Sequence, residues 1–531
     1  MSKRITMGDE ARDRLISGAL QLSDAVAVTL GPRGQNVLLY MRGDAPVITK
    51  DGVSVARVIE LEDDIENAGA EILRQAAVAT NDRAGDGTTT STVIAGAILR
   101  EARRHIAAGV PSIEIQRGIL SAARKIDARL LEMARPISSE EEIAHIAKVS
   151  ANGSDEIGRL VAQAVAAAGK DGAVTIEESR SLDTVLDVEE GFQFGGGYVS
   201  SQFVTDERRG VVQYDDPLIL VTDARLDSID EVLPLLEVAA RDGRPLIIVA
   251  EEIEGQLLAA LIMNRMRGQM KIAAIKVPMY GEERRNILED LALTTGATFI
   301  SSDSGIRLSQ VKLEHLGGAK SIEILKNHTT IAGGRGEVDS VDKKIDLLRA
   351  QVSQTDSLHE AESIQGRITR LSSGISIIRV GGATETEVTE KRHRVEDALE
   401  AVRSAQEEGV VAGGGAALLR SLINLNYSTD NPHKMVGAKI LVRACEAPFK
   451  KILENAGVPS EVIFDKLGAL FLKMPDTSVG FSVLENKFQD MFEIGVIDPV
   501  KVTRAALANA ASAAGVLLTT NCAVIRKIQD K

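Results

Sequence analysis

The chain has 531 residues, of which 44% are hydrophobic and 26% charged, but only 3% are aromatic and none is Trp. At roughly 150 residues per folding unit it should divide into about three or four, with cores built from Ala, Val, Ile and Leu. A formal charge of −14 argues against a surface that tracks a nucleic-acid backbone or an anionic membrane, and the two cysteines, Cys445 and Cys522, exclude a disulfide framework or a four-thiolate zinc site. Met1 to Glu10 is polar rather than signal-like, and no unbroken apolar run approaches about 18 residues. The expectation is a protein of a reducing compartment, cytoplasmic, with neither membrane nor nucleic acid among its partners.

In chain order, residues 9–30 place Leu15, Ile16, Ala19, Leu20, Leu22 and Val26 at helical spacing and stop at Gly31-Pro32. Residues 36–41 and 46–49 read as two short strands around Gly43-Asp44. Ala-rich helices are expected over 67–81 and 88–108, the second opening on Gly85-Asp86-Gly87-Thr88-Thr89-Thr90. The middle changes texture. β-branched runs at 217–223, 245–250, 271–277 and 298–302 alternate with amphipathic helices at 229–240, 253–267 and 282–295, the pattern of βαβ units and a largely parallel sheet. From about 388 the chain turns helical again, through 390–408, a Gly413-Gly414-Gly415 break and 502–515. Two similar ends around a dissimilar middle imply a domain inserted into a helical one.

Asp86 to Thr90 carries the strongest chemical signal. Three Thr at a helix start offer hydroxyls and unpaired amides to an anion, and the neighbouring Asp could hold a hard cation that bridges phosphate oxygens. An ordinary N-cap accounts for the same residues. Gly31-Pro32-Arg33-Gly34 reads first as a turn, and Lys50-Asp51-Gly52 and the Gly413 triplet are as ambiguous. Glu396-Asp397 reads as part of a solvated helix face, and the stripe Leu233, Leu236, Leu258, Ile262 and Met263 reads as core. No Walker A, GxGxxG or GxSxG pattern occurs.

Together, Thr29-Leu30-Gly31-Pro32-Arg33-Gly34, Thr49-Lys50-Asp51-Gly52-Val53-Ser54-Val55-Ala56, Ala84-Gly85-Asp86-Gly87-Thr88-Thr89-Thr90, Arg394-Val395-Glu396-Asp397-Ala398 and Glu408-Gly409-Val410-Val411-Ala412-Gly413-Gly414-Gly415 resemble the nucleotide-site motifs of the group I chaperonins, the GroEL type. The likeness spans about residues 7–525. It implies an α/β multidomain fold. A mostly helical equatorial domain comes from both termini (1–132 and 408–531), a small α/β intermediate hinge domain from 133–189 and 376–407, and an inserted α/β apical domain from 190–375. Hinges are expected near Gly191 and Gly374.

The activity implied is that of a chaperonin ATPase. It captures non-native polypeptides and folds them in a homo-oligomeric ring, heptameric and single or double, closed by a GroES-type co-chaperonin. The implied cofactors are ATP, Mg²⁺ and K⁺. By the same resemblance Asp86 is the metal ligand, and Gly87, Thr88, Thr89 and Thr90 hold phosphates beside Thr29, Leu30, Gly31, Pro32 and Lys50. Ser150, Gly414, Ser482, Val483 and Leu484 line the nucleotide, and Asp498 grips the ribose. Asp397 orients or deprotonates the attacking water, assisted by Asp51. Tyr198, Ser200, Phe203, Leu233, Leu236, Leu258, Ile262 and Met263 match polypeptide-binding positions.

Some positions depart from the family. The chain ends Arg526 to Lys531 without a Gly-Met-rich tail, Ser482 stands where an Asn usually meets the adenine, and Gln202 replaces an apical aromatic. Gly457-Val458-Pro459 is short and lacks acidic residues, while 464–479 is longer and more apolar, which argues for a single ring more than a double one. These departures fit a specialised paralogue. Two rivals stand beside the chaperonin reading: a holdase with weak or uncoupled hydrolysis, and a small-molecule phosphotransferase, for which no second polar cluster presents itself.

Overall fold

The change of texture along the sequence has a structural counterpart. The computed structural model describes residues 3–40, 47–151, 153–168, 173–179, 181–207, 209–301, 303–352, 355, 358–372, 374–427, 429–474 and 477–526. The chain forms two compact units, Met1–Ala162 with His393–Lys531, and Gln163–Arg392. The divisions fall inside the helices Asp155–Ala168 and Glu385–Glu408. The expected hinge pieces, 133–189 and 376–407, are thus each shared between the units.

The terminal unit is a helical layer made from Gly8–Ala27, Asp64–Ala84, Thr88–Ala107, Ser112–Glu132, Pro432–Ala444 and Val500–Thr519. Its core contains Ile16, Leu22, Leu73, Ile94, Ile98, Leu99, Ile115 and Leu517, which meets the requirement for a core without aromatic rings. Small residues let backbones touch. A Cβ on Gly18 would lie 1.8 Å from Glu66 O, and one on Gly69 would lie 1.9 Å from Leu15 O, so the first two of these helices cross through a reciprocal glycine pair. Gly118 and Gly437 do the same for Ser112–Glu132 and Pro432–Ala444. Val500–Thr519 is long and apolar enough to cross a membrane by length and composition, yet it is packed at the centre of this unit, with Val500, Leu507, Ala510, Ala514, Leu517 and Leu518 buried. Strands Lys3–Met7 and Cys522–Arg526 pair antiparallel, Ile5 opposite Val524, and bring both ends of the described chain into this unit.

In the middle unit, Leu218–Val221, Leu246–Ala250 and Ile272–Lys276 run parallel as expected, with helices Ile229–Asp242 and Gly255–Met266 connecting them and Gly281–Thr295 following. The strands are buried on both faces, so their sequence is a continuous apolar run rather than an alternating one. The expected strand at 298–302 reduces to one parallel bridge, Thr222 to Ile300, reinforced by the Thr222 hydroxyl on Ile300 O at 2.7 Å. Residue 302, the last of that run, lies outside the described residues.

A six-stranded sheet contains Ala173–Glu178, Gly374–Val380, Val185–Gly195, His328–Ala332, Ser321–Ile324 and Val212–Asp215 in that order. The expected hinge glycines are strand residues within it, Gly191 opposite Ala332 and Gly374 opposite Glu190. Gly191 is required by space, because the backbone carbonyl Ile331 O lies 2.6 Å from where its Cβ would be. Near the N-terminus, Val37–Leu39 and Val47–Thr49 pair as expected, while the Gly43-Asp44 turn lies outside the described residues.

Candidate functional site

The terminal unit gathers most of the first set of predicted residues around two helix starts. Helix Thr88–Ala107 follows Gly87, whose φ of +91° only glycine adopts without strain, and has no side-chain cap. An ordinary N-cap is therefore not what the Asp-Gly-Thr-Thr-Thr run provides, since the Asp86 carboxylate turns back to the Gly87 N–H at 2.5 Å. The first-turn amides stay open to an anion. Helix Gly52–Val58 begins alongside, and a Cβ on Gly52 would lie 2.3 Å from Thr89 Oγ1.

The turn after helix Gly8–Ala27 completes this side. The Thr29 hydroxyl donates to Val26 O at 2.9 Å and lies 3.4 Å from Thr89 Oγ1. Gly31 has φ +86°, and its carbonyl accepts the Gly34 N–H at 2.9 Å. Leu30 is half-buried, while Pro32 and Lys50 are exposed. Thr88 is buried, and Thr89 and Thr90 are partly so.

Four aspartates border this floor. Asp51 caps Gly52–Val58, accepting the Val53 N–H at 3.0 Å, the Ser54 N–H at 2.9 Å and the Ser54 hydroxyl at 2.6 Å. Burial pushes the Asp86 carboxyl up; the Gly87 amide opposes this, the Asp51 charge adds to it, and the Ser150 hydroxyl opposes it. Asp498 is pushed up to about 7 by burial and then by the charge of Asp86, against the pull of the Gly414 amide. Asp498 pairs with Val411 across two short strands, and a Cβ on Gly413 would lie 2.8 Å from its Oδ1. The glycine triplet is thus the surface against which Asp498 packs. Asp397, half-buried on helix Glu385–Glu408, joins through Ser150, whose hydroxyl lies 3.0 Å from Asp397 O and 3.4 Å from Asp86 Oδ2.

Buried carboxylates raised further by a neighbouring carboxylate's charge, as Asp86 and Asp498 are, suit a cation. Among the described residues no three His, Cys, Asp or Glu side chains converge as a metal cage. A cation at Asp86 would take most of its ligands from phosphate oxygens and water, the habit of Mg²⁺. The residues fit such an ion.

Ser482 and Val483 are buried and Leu484 is exposed at the end of the hairpin Val479–Ser482 and Lys487–Asp490. The Ser482 Oγ accepts the Glu485 N–H at 3.3 Å, so its hydroxyl is engaged in its own turn.

The second set, in the middle unit, divides. Leu233 and Met263 are 43% and 46% exposed, and Met266 is exposed beside them. Leu258, Ile262, Tyr198 and Ser200 are half-buried. Leu236 and Phe203 are core residues at 5% and 0% exposure, packed with Leu235 and Leu257. Helix Ile229–Asp242 turns Val232, Leu235, Leu236 and Ala239 inward, while Leu233 stays exposed. A cavity of about 620 Å³ in this unit, bordered by Glu189, Asp342, Asp346 and Arg349, contains none of the predicted nucleotide-site residues.

One residue without a sequence signal bears on the site. Asn455 donates to carbonyls of the turn around Thr29, from a helix whose local pattern shows only amphipathicity.

Residues 22–528 match the model of the TCP-1/cpn60 chaperonin family. Among solved structures, the chain is similar to the chaperonin gp146 from the bacteriophage EL 2 (Pseudomonas aeruginosa), crystallised in presence of ATP-BeFx. Crystal form II gives a TM-score of 0.70 at 20% identity, covering 99% of each chain. Crystal form I gives 0.62 at 20% identity, again over 99% of each.

Proposed function

Since the chain belongs to the TCP-1/cpn60 chaperonin family and is a chaperone with the chaperonin fold, we propose that it is an ATP-hydrolysing folding chaperone whose nucleotide site is the Asp86 cluster. The observation that carries this reading is the uncapped start of Thr88–Ala107 beside aspartates raised by burial and by a neighbour's charge. Bare amides demand an anion and crowded carboxylates demand a cation, and a metal–triphosphate satisfies both. The crystallisation of the similar phage chaperonin in presence of ATP-BeFx supports it.

In this reading the Thr88, Thr89 and Thr90 amides and hydroxyls hold phosphates together with the Thr29–Gly31 turn. Asp86 holds Mg²⁺, which when bound neutralises charge on the phosphates; K⁺ is proposed as a second cation. Asp498, titrating near neutrality, can both donate to and accept from ribose hydroxyls. Asp397 orients or deprotonates the attacking water, and Ser150 keeps its backbone beside Asp86. Phosphoryl transfer needs such positioning and charge neutralisation more than covalent catalysis. Asp51 contributes by fixing the start of Gly52–Val58 against Thr89.

Leu233, Leu258, Ile262, Met263 and Met266 form the proposed client surface. Apolar contact without direction suits clients that share exposed hydrophobic area rather than a sequence, and methionines adapt to varied shapes. The proposal includes the three-part division into equatorial, intermediate and apical domains, a homo-oligomeric ring in the cytoplasm, and closure by a GroES-type partner. A holdase is the second reading, favoured by the exposed polar Gln202 in the apical segment.

The test is steady-state ATP turnover of the wild type against Asp397→Ala, with nucleotide affinity measured in both. Turnover in the wild type, and binding without turnover in the variant, is the expected result. Binding without turnover in both would overturn the ATPase reading in favour of the holdase.

A further inference from the structure

Helix Ala447–Asn455 contributes nothing to the motifs, yet its last residue holds the backbone of the proposed phosphate turn. Asn455 Nδ2 donates to Leu30 O at 2.9 Å and Ala27 O at 3.0 Å, with Val28 O at 3.4 Å. Ala27 O and Val28 O are also met by the N–H groups of Leu30 at 3.3 Å and Gln35 at 2.8 Å. Among the described residues, Leu30 O has no backbone donor, so its position depends on the Asn455 carboxamide.

That dependence reaches Gly31 through covalent geometry. A trans peptide is planar, with its C=O and N–H on opposite edges, and no cis peptide occurs among the described residues. Holding the Leu30 carbonyl on Asn455 therefore points the Gly31 N–H away from Asn455. Among the described residues this amide meets no backbone acceptor. Ile452, one turn earlier in the same helix, closes on the glycine itself: a Cβ there would lie 3.1 Å from both Cγ1 and Cγ2. Gly31, at φ +86°, could rotate this peptide freely if the carbonyl were released.

We propose that Asn455 is a positioning residue of the nucleotide site, which aims the Gly31 N–H at a bound phosphate by anchoring the Leu30 carbonyl. This rests on the ATP reading above. A phosphate oxygen gains from an amide already oriented before binding, because no reorganisation accompanies capture. The helix that ends at Asn455 thereby governs affinity from outside the motifs.

The experiment uses the full chain and two variants. Asn455→Asp keeps the shape and replaces the donor with a carboxylate facing three carbonyls; Asn455→Gln keeps the donor but displaces it by a methylene. Equilibrium binding of Mg²⁺-ATP, turnover at saturation and thermal unfolding are measured for each. The expected result is an ATP affinity about tenfold weaker in Asn455→Asp, equivalent to about 1.4 kcal/mol, a smaller loss in Asn455→Gln, and turnover at saturation within about twofold of the wild type.

A merely structural tie would lower the unfolding temperature of both variants and leave affinity below that temperature unchanged, which overturns the proposal. Should Asn455→Asp fail to fold, unchanged affinity in folded Asn455→Gln overturns it equally. If the wild type binds no nucleotide, the ATP reading falls and this one with it; that outcome is distinct from a wild type that binds and variants that match it.

Discussion

Asp498 gives the clearest quantitative handle on the proposed site. Its carboxyl titrates at about 7 in the folded chain against 3.8 for the free group, so the folded state holds a proton that the unfolded chain has released. The sign follows from linkage: between these values folding takes up a proton, and stability falls as pH rises. The penalty is absent below about pH 3 and complete above about pH 7. At about 1.36 kcal/mol per pH unit, the shift amounts to about 4 kcal/mol. Asp498→Asn removes it. The ligand-free variant should therefore gain up to about 4 kcal/mol over the wild type at pH 8 and only about 1 kcal/mol at pH 4.5. Urea unfolding followed by far-ultraviolet circular dichroism measures this, the chain having no Trp to report by fluorescence. If wild type and variant lose stability in parallel from pH 4.5 to 8, Asp498 is not a strained carboxylate, and the electrostatic argument for a cation beside Asp86 fails with it.

Three further outcomes test packing and surface. Gly18→Ala puts a methyl group onto the Glu66 carbonyl and should destabilise the terminal unit by at least the roughly 1–3 kcal/mol of ordinary overpacking, read as a lower urea midpoint; an unchanged midpoint would mean that these helices are further apart than described. Leu233→Ser with Met263→Ser should abolish capture of a denatured client and leave ATP turnover and unfolding unchanged. Leu236→Ser, two positions from the exposed Pro234 but itself buried, should instead cost more than about 2 kcal/mol of stability. Equal stability losses in all three substitutions would assign the whole stripe to the core.

What the sequence made legible was whatever is written locally. Helical periodicity located Gly8–Ala27, Asp64–Ala84, Thr88–Ala107 and, in the middle unit, Ile229–Asp242, Gly255–Met266 and Gly281–Thr295, because a buried helix face repeats every few residues. The Thr88 helix start was visible as a motif, and its resemblance to the chaperonins decided between anion site and cap. Long-range pairing left no such trace. Asp498 lies opposite Val411 and packs against Gly413, and nothing near residue 498 announces either partner. Asn455 is hidden for the same reason. Periodicity also could not separate Leu233 from Leu236, since a helix that packs on one side makes neighbours differ within a single turn. The run 298–302 has strand composition, but composition does not supply a second strand to pair along its length.

The way the terminal unit is closed bears on how the chain is made. Asn509 on Val500–Thr519 donates to Thr80 across 429 positions, and the strand Lys3–Met7 waits for Cys522–Arg526. During synthesis at about 5–20 residues per second, the early helices would stand without their central partner for roughly 20–90 s. The middle unit is contiguous, Gln163–Arg392, and can complete its own sheets while the ribosome is still working on the rest. The chain thus spends part of its synthesis with the Ala- and Ile-lined faces of Asp64–Ala84 and Thr88–Ala107 uncovered until Val500–Thr519 emerges.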